Sequence, residues 1–424
     1  MNDTIFALSS GSPPAAIAVV RVSGPQAADA VAALAGSLPE PRKASYRILR
    51  GPDRDVLDRA LVLWFPGPAT ATGEDLAELH LHGGRAVVAA IELALANRPK
   101  LRRATPGEFT RRAFANGRID LAEAEGLADL LTAETELQRR NAIAIAGGEL
   151  SAKVEDWRSR VLLASAQVES VLDFADEDDV AQLPGDFGAR LAALRSEISE
   201  WLARPRVELL RDGFRVVLAG PPNAGKSTLF NALVKDEAAI TAAVAGTTRD
   251  VLTRSVAIEG IPLVFVDTAG LREEVDNEIE AIGISRALDA VENADLVLWL
   301  GPEGEGPAGS WDIAAQADIY PDVKPNARQH VSAVTGQGVA ALSAAIVAAA
   351  RTALPKPGTV ALNQRQHSFL AQADAALADA SHHEDPLIIA EALRMARVAF
   401  DAIGGRTTTE DMLDALFGRF CIGK

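Results

Sequence analysis

Hydrophobic and polar positions divide the chain into regions with different periodicities. Residues 1–117 mix short apolar runs with Gly and Pro, which predicts strands with a few helices. These runs are Ile17–Val22, Ala60–Phe65 and Leu76–Leu81. From residue 118 to 211 apolar residues recur every three or four positions, which predicts helices with one apolar face. The repeating positions are Leu121, Ala124, Leu127 and Leu131, then Leu191, Leu194, Ile198 and Trp201.

Residues 212–355 alternate between strand and helix patterns. The predicted strands are Phe214–Gly220, Ser255–Ile258, Ile261–Asp267, Leu296–Leu300 and Ala327–Val331, and the predicted helices are Thr228–Val234 and Ala340–Ala350. The second and third strands flank a Glu259-Gly260 turn and form a predicted hairpin. Strands that alternate with helices indicate a largely parallel α/β sheet.

Residues 356–424 return to a helical pattern, with Ile389, Leu393, Ala396 and Phe400 on one face. We therefore predict a multidomain protein with α+β, all-α and α/β parts, in which the α/β domain is inserted into a helical one. The expected boundaries are 1–117 for the N-terminal domain, 118–211 and 356–424 for the two helical segments, and 212–355 for the α/β domain.

Composition narrows the expected location and partners. The 424 residues suffice for about three domains, and the single cysteine, Cys421, fits a reducing compartment. We find no basic-then-apolar signal at the N-terminus and no apolar run near ~20 residues, so we expect a cytoplasmic protein without membrane contact. A net charge of −16 argues against a protein that coats DNA, but it leaves room for a local basic patch or for a basic partner protein that holds the RNA.

The strongest motif is Gly220-Pro-Pro-Asn-Ala-Gly-Lys-Ser227, which follows a predicted strand and precedes a predicted helix. This context is typical of a P-loop, whose backbone N–H groups surround the phosphates of a nucleotide. Lys226 would reach the β- and γ-phosphates, and the Ser227 hydroxyl would bind Mg²⁺. The GTP-binding positions predicted here are Asn223, Ala224, Gly225, Lys226, Ser227 and Thr228.

Two further segments have the spacing of nucleotide switches. Asp267-Thr268-Ala269-Gly270 ends the second hairpin strand, where the carboxylate can hold Mg²⁺ through water and Gly270 can sense a γ-phosphate. Between it and the P-loop lies Gly246-Thr-Thr-Arg-Asp250. There we expect Thr247 and Thr248 to contact the nucleotide, with the Thr248 hydroxyl completing the Mg²⁺ shell once the γ-phosphate orders the loop.

Recognition of the base is where the chain departs from the usual pattern. Guanine is normally bound by Asn-Lys-x-Asp after a strand, whereas residues 315–318 here read Ala-Gln-Ala-Asp and keep only Asp318. Ser332 and Ala333, in a loop that continues with Thr335-Gly-Gln-Gly338, can support the base with backbone N–H groups. Either guanine preference survives in a weaker form or selectivity for the base has relaxed, since each lost polar contact costs ~1 kcal/mol.

The combination of GPPNAGKS, GTTRD, DTAGLRE and SAVTGQG resembles bacterial GTPases of the translation-factor class. The segments TGEDLAELHLHGG and TPGEFTRRAFANGRIDLAEAE and the ending FCIGK are similar to the tRNA-modification GTPase family MnmE (TrmE). The similarity runs from Asp3 to the last residue and is weakest between 301 and 326.

This resemblance implies an N-terminal folate-binding and dimerising domain. Folate-contacting positions of the family correspond here to Arg21, Glu78, Arg118 and Lys424, with Cys421 as a further possible site residue. The donor would be 5,10-methylene- or 5-formyl-tetrahydrofolate. A homodimer would join a flavin- and NADH-dependent partner of the MnmG (GidA) type in a heterotetramer, which adds (carboxymethyl)aminomethyl groups to C5 of the wobble uridine of tRNA.

The resemblance also implies how hydrolysis is activated. No glutamine follows Gly270, and the family instead uses K⁺, here held by Asn223 and by switch carbonyls at Ala242, Val244 and Thr247. Glu280 corresponds to the family glutamate that orients the attacking water, and Glu274 or Glu278 could be confused with it. Catalysis is therefore assigned to Lys226 and Glu280 and should depend on potassium and on dimerisation of the GTPase domains.

Two other functions compete with this interpretation. A ribosome-assembly or RNA-binding GTPase would act as a timed switch without modification chemistry, but it should carry a basic RNA-binding domain after the GTPase domain. A folate-dependent aminomethyl transferase with a degenerate GTPase domain is the other alternative, because the Asn-Lys pair is missing.

Overall fold

The computed structural model describes residues 3–173, 182–234, 238–239, 253–268, 288–320, 323–356, 358–407 and 409–423. The chain separates into two units. The first contains Met1–Ala128, Ala146–Asp156 and Val398–Lys424, and the second contains Asp129–Ile145 and Trp157–Arg397. Seven predicted site residues lie outside the described residues in the second unit, and Lys424 does so in the first. The seven are Ala242, Val244, Thr247, Thr248, Ala269, Gly270 and Glu280.

The first unit is built on a six-stranded sheet. Its strands are β1 (Thr4–Leu8), β2 (Ile17–Ser23), β3 (Ser45–Arg50), β4 (Val56–Phe65), β5 (Leu76–His82) and β6 (Leu101–Arg103). Their order is β3-β4-β5-β2-β1-β6, with β6 parallel to β1 and the other neighbours antiparallel. The helices that begin in the segment Met1–Ala128 of this unit are α1 (Ala27–Ala35), α2 (Arg85–Ala96), α3 (Glu108–Ala115) and α4 (Leu121–Thr132).

The alternation of buried and exposed positions along these strands explains the sheet. Val20, Leu79 and Val62 are inaccessible to solvent and pack with Val31 and Ile91 of the first two helices. Alternate residues of a strand point to opposite faces, so the polar positions of β2 and β5 share the other face. This arrangement places Arg21 beside Glu78.

The second unit combines a seven-stranded sheet with long helices. The strands are β7 (Phe214–Ala219), β8 (Ala238–Ala239), β9 (Thr253–Ile258), β10 (Ile261–Asp267), β11 (Leu296–Trp299), β12 (Trp311–Ala314) and β13 (Gln329–His330), in the order β13-β12-β11-β7-β10-β9-β8. The strands from β13 to β10 run parallel, whereas β9 pairs antiparallel with both β10 and β8. The carboxyl ends of the parallel strands therefore meet at one edge, which is where ligands bind in such sheets.

The remaining helices are α5 (Glu136–Ala146), α6 (Glu149–Asp173), α7 (Phe187–Leu202), α8 (Glu208–Asp212), α9 (Lys226–Val234), α10 (Val339–Ala353), α11 (Gln364–His382), α12 (Pro386–Ile403) and α13 (Glu410–Phe417). Helices thus precede and follow the α/β segment along the chain, as predicted. Within the described ranges, none of these helices is both long enough and apolar enough to span a bilayer.

Some local predictions are wrong. The strand expected over Ala327–Val331 shortens to Gln329–His330, and β12 was not predicted at all. Leu131 belongs to α4 but its side chain is 44% exposed, so the apolar face of that helix ends before it. By contrast, the apolar faces formed by Leu191, Leu194, Ile198 and Trp201 and by Ile389, Leu393, Ala396 and Phe400 are buried as predicted.

Candidate functional site

The P-loop connects the carboxyl end of β7 to the start of α9 at Lys226. Its backbone turns sharply, with φ of 148° at Gly220, 62° at Asn223 and 89° at Gly225. A side chain at Gly220 would lie 2.9 Å from the backbone nitrogen of Gly301, so this position requires glycine. The local geometry is therefore the one that the motif predicted.

Lys226 is buried and points back over the loop. Its ammonium donates to the carbonyl oxygens of Gly220 at 3.0 Å and Pro221 at 2.7 Å. Ser227 follows at the exposed first turn of α9, where a hydroxyl can bind a hard cation such as Mg²⁺.

Asp267 ends β10 and is buried directly beside the strand that leads into the P-loop. It lies opposite Leu218 in the parallel register of β10 and β7. The next residue, Thr268, fixes the end of the strand because its hydroxyl donates to the Leu218 carbonyl at 2.8 Å. The structure thus brings a carboxylate to the edge where Lys226 and Ser227 lie, and carboxylate and hydroxyl oxygens suit Mg²⁺.

The two segments expected to bind the base adjoin each other. The backbone N–H of Ala317, in the loop after β12, donates to the carbonyl of Val331 at 3.0 Å, and Asp318 is exposed at that loop. Ser332 is fully buried, and its hydroxyl accepts from the Thr335 N–H at 3.2 Å. This network shapes the loop that contains Ser332 and Ala333.

Gln316 is a site residue that the sequence motifs did not reveal. Its side-chain amide donates to the carbonyl oxygen of Asn223 at 3.4 Å, so it links the loop after β12 to the P-loop. Its only sequence signal was its place in the degenerate base motif.

The connection between β11 and β12 is short and, from 300 to 310, contains no helix. Beside it a cavity of about 440 Å³ separates the P-loop from the loop after β12, lined by Pro221, Asn223, Ala315, Gln316 and Tyr320 among others. Lys324, which the motifs also missed, is buried next to it and donates to the carbonyls of Trp299 and Ile313 and to Asp312, each at 3.2 Å. This lysine joins β11 and β12 where the connecting helix is missing.

A larger cavity of about 780 Å³ lies at the opposite end of the same sheet. It is lined by residues that precede β7 and β11, including Asp212, Gly213, Asn293 and Asp295. None of the motif residues lines it, so size alone does not locate the chemistry in this molecule.

In the first unit the structure brings Arg21 and Glu78 together. They lie directly opposite each other in the antiparallel register of β2 and β5 and form an ion pair with an N–O distance of 2.8 Å. Partial burial opposes ionisation of Glu78, but the hydrogen bond and charge of Arg21, with a smaller contribution from His80, outweigh it and hold the pKa of Glu78 below its usual value.

Two further predicted site residues of the first unit, Arg118 and Cys421, lie outside its helices and strands. Arg118 is exposed, and its side chain packs against Gly73 in the loop before β5. Cys421 is exposed, and the following turn places Gly423 so close to the Leu8 carbonyl that an added side-chain carbon would lie 2.1 Å from its oxygen. The C-terminal segment is therefore seated against the end of β1.

Comparisons with known proteins show which family the chain is similar to. Residues 4–118 match the model of the GTP-binding protein TrmE N-terminus, and residues 121–421 match the MnmE helical domain. Proteins called tRNA modification GTPase MnmE are similar over their full length: those of Novosphingobium aromaticivorans and Erythrobacter litoralis are each 63% identical, with 100% of both chains covered. The chain belongs to the MnmE family of tRNA-modification GTPases.

Membership of the MnmE family accounts both for the P-loop edge and for the N-terminal segment that matches the TrmE model. The chain is a GTPase that acts in tRNA modification and binds GTP and Mg²⁺. The MnmE protein of Zymomonas mobilis is 50% identical, with 99% of this chain and 100% of that one covered. Among solved structures, the G domain of the T. maritima FeoB iron transporter is 23% identical over 32% of this chain and 98% of that one, with a TM-score of 0.23.

Proposed function

We propose that this protein is a potassium-activated GTPase that, with a flavin- and NADH-dependent partner, adds (carboxymethyl)aminomethyl groups to C5 of the wobble uridine of tRNA in the cytoplasm. A homodimer would bind the folate donor through Arg21, Glu78, Arg118 and Lys424. The observation that carries potassium activation is the conformation of Asn223, an exposed amide inside the P-loop held at a φ of 62°. An amide oxygen is a hard donor of the kind that K⁺ accepts.

In hydrolysis a water oxygen attacks the γ-phosphorus, the bond from that phosphorus to the bridging oxygen breaks, and GDP leaves with the electron pair. Lys226 stabilises negative charge that develops between the β- and γ-phosphates. Asp267 and Ser227 would hold Mg²⁺, and Asn223 would hold K⁺, which would supply further positive charge to the transition state. Glu280 is proposed to orient the water.

Single-turnover hydrolysis of GTP and ATP, in KCl and in NaCl, tests the GTPase half of this proposal. We expect faster hydrolysis of GTP than of ATP, activation by KCl only, and loss of that activation in Asn223→Ala. Asn326→Ala is the matched control, because Asn326 is exposed in the same unit. Equal rates in KCl and NaCl would contradict the potassium mechanism, and equal use of ATP would show that Asp318 does not select guanine.

The modification half needs the partner protein with its flavin and NADH, tRNA, a tetrahydrofolate derivative, GTP, and ammonium or glycine as the source of the amino group in one reaction. Digestion of the tRNA and mass spectrometry of its nucleosides should show a (carboxymethyl)aminomethyl group on the wobble uridine. The group should be missing when either GTP or folate is left out. Product that forms without GTP would separate the GTPase from the modification.

A further inference from the structure

Two unusual backbone conformations face each other across the nucleotide edge. Among the described residues, six non-glycine residues have positive φ, and two of these are Asn223 at 62° and Gln316 at 59°. An L-residue in this region costs roughly 1–2 kcal/mol and persists where its surroundings fix it, often at a functional site. A hydrogen bond connects this particular pair, from the Gln316 amide to the Asn223 carbonyl.

Gln316 is held at both ends. Its own carbonyl accepts from the backbone N–H groups of Ile319 and Tyr320, each at 2.9 Å, which fixes the loop that carries Asp318. Its side chain then crosses to the P-loop, where the amide nitrogen is 3.4 Å from the position that a side-chain carbon on Gly225 would occupy. The neighbours Ala315 and Ala317 have no polar side chain that could make the same connection.

We infer that Gln316 is a positioning residue that ties the base-binding loop to the P-loop, so that Asp318 and Lys226 act on one nucleotide as a single rigid site. This inference rests on the proposed binding of guanine by Asp318. The tie ends on the backbone of Asn223, the residue proposed to hold K⁺, and thereby fixes the conformation of that residue too. A neutral amide makes this connection here, at the position where the usual motif has a lysine.

Loss of this hydrogen bond should affect the affinity of a ligand according to which of the two loops the ligand contacts. A ligand that contacts only the P-loop, such as pyrophosphate, needs no alignment between the two loops. GDP touches both loops, so its affinity includes the advantage of having them already aligned. Loss of the Gln316 hydrogen bond should therefore weaken GDP much more than pyrophosphate.

The test compares Gln316→Met, which keeps the length of the side chain but has no donor, with Gln316→Lys, which keeps a donor. Dissociation constants of the full-length protein for GDP and pyrophosphate are measured by calorimetry. We expect Gln316→Met to bind GDP about tenfold more weakly, the equivalent of one net hydrogen bond, and pyrophosphate within about twofold of the parent. For Gln316→Lys, the dissociation constants for GDP and for pyrophosphate should both stay within about threefold of the parent values. Gln372→Met changes an exposed position in a helix and should bind both ligands as the parent does.

A double-mutant cycle separates this role from a purely structural one. In an Asp318→Ala background, Gln316→Met should weaken GDP by less than about twofold, because the loop it positions no longer carries the base contact. Three results would overturn the inference. They are additive effects of the two substitutions on GDP affinity, an equal loss of GDP affinity in Gln316→Met and Gln316→Lys, and an unchanged GDP affinity in Gln316→Met. If Gln316→Met behaves as expected but Asp318→Ala keeps full GDP affinity, the tie acts on another base contact and the proposed role of Asp318 fails. A parent protein that binds pyrophosphate but not GDP would overturn both.

Discussion

The ammonium of Lys226 lies 2.7 Å from the carbonyl oxygen of Pro221, so this lysine caps the loop that precedes it in the chain. A second carbonyl, that of Gly220, accepts from the same group at 3.0 Å. Nucleotide phosphates would replace these two weak acceptors with charged oxygens. The lysine is thus already buried over the P-loop, where we propose that it meets the β- and γ-phosphates.

Replacing Lys226 with Ala should lower single-turnover GTP hydrolysis about 100- to 1000-fold, because the transition state loses a preorganised positive charge. The rate of phosphate release measures the effect. Lys356→Ala removes an exposed lysine of the same unit and should leave the rate unchanged. A rate within threefold of the parent in Lys226→Ala would place the phosphates elsewhere.

The ion pair between Arg21 and Glu78 leads to a prediction for the N-terminal unit. Arg21→Ala leaves a half-buried carboxylate without its guanidinium partner, and we expect 5-formyl-tetrahydrofolate to bind at least tenfold more weakly in equilibrium titrations. GTP hydrolysis by the same variant should be unchanged. Arg59→Ala removes an exposed arginine from the neighbouring strand β4 and is the control. Equal folate affinity in both variants would mean that the pair only stabilises the sheet.

The predictable parts of the fold are those whose structure is determined by a short stretch of sequence. The strand–P-loop–helix unit and the hairpin of β9 and β10 each lie within a short segment of the chain. In the hairpin, the turn residues Glu259 and Gly260 adopt the positive φ that the turn needs. β12 could not be predicted in the same way. Its four residues, Trp311–Ala314, form a strand because they pair with β11 on one side and β13 on the other. The sequence of one short segment does not indicate which strands will lie beside it.

The same distinction applies to the site. Lys226 and Asp267 stand in motifs with fixed spacing, so their places at the ends of β7–α9 and β10 could be predicted from order alone. The hydrogen bond from Gln316 to Asn223 joins residues 93 positions apart, and nothing in an Ala-Gln-Ala-Asp sequence indicates which atom the glutamine meets. Arg21 and Glu78 are 57 positions apart, and the register of β2 and β5 is what brings them together. Tertiary pairing therefore supplies the information that the motifs lack.

Adjacent arginines of α3 should differ sharply in their contribution to stability. Arg112 has a side chain with no exposed area and donates to Asp3 at 2.9 Å and to Glu74 and Glu108 at 3.1 Å, whereas the side chain of Arg111 is 34% exposed. Removing one partner from a buried ionic network costs about 3–5 kcal/mol, and an exposed pair is worth about 0–1 kcal/mol. Arg112→Ala should therefore lower the free energy of unfolding of this unit by several kcal/mol, and Arg111→Ala by about 1 kcal/mol or less.

Urea unfolding of the full-length protein, labelled with 5-fluorotryptophan, can measure this difference by ¹⁹F NMR. Trp64 is one of five tryptophans and is 5% exposed in the core of the first unit. A Trp64→Phe variant assigns its resonance. Equal shifts of the Trp64 transition in the two arginine variants would contradict the burial of the Arg112 network.

Glu108 gives the same unit a defined sensitivity to acid. Burial opposes its ionisation, but hydrogen bonds from Arg102, the Thr105 N–H and Arg112 outweigh burial, so the pKa of Glu108 in the folded protein lies below its usual value. The unfolded chain therefore binds the proton more readily than the folded one. The stability from this carboxylate is complete above the unfolded pKa and is lost as the pH falls through the folded pKa.

We expect the urea midpoint of the Trp64 resonance to be flat from pH 7 to about pH 5 and to fall below the ordinary carboxyl pKa of roughly 4.3. In Glu108→Gln the urea midpoint at pH 7 should be lower than in the parent, and it should fall less on acidification because the amide cannot titrate. Glu92→Gln is the control, since the Glu92 pair with Arg103 is more exposed. Parallel pH profiles of the parent and Glu108→Gln would contradict this role for Glu108. The acid sensitivity would then come from other carboxylates of the unit whose pKa is lowered, such as Asp3, where partial burial is outweighed by Arg102 and Arg112, and Glu78.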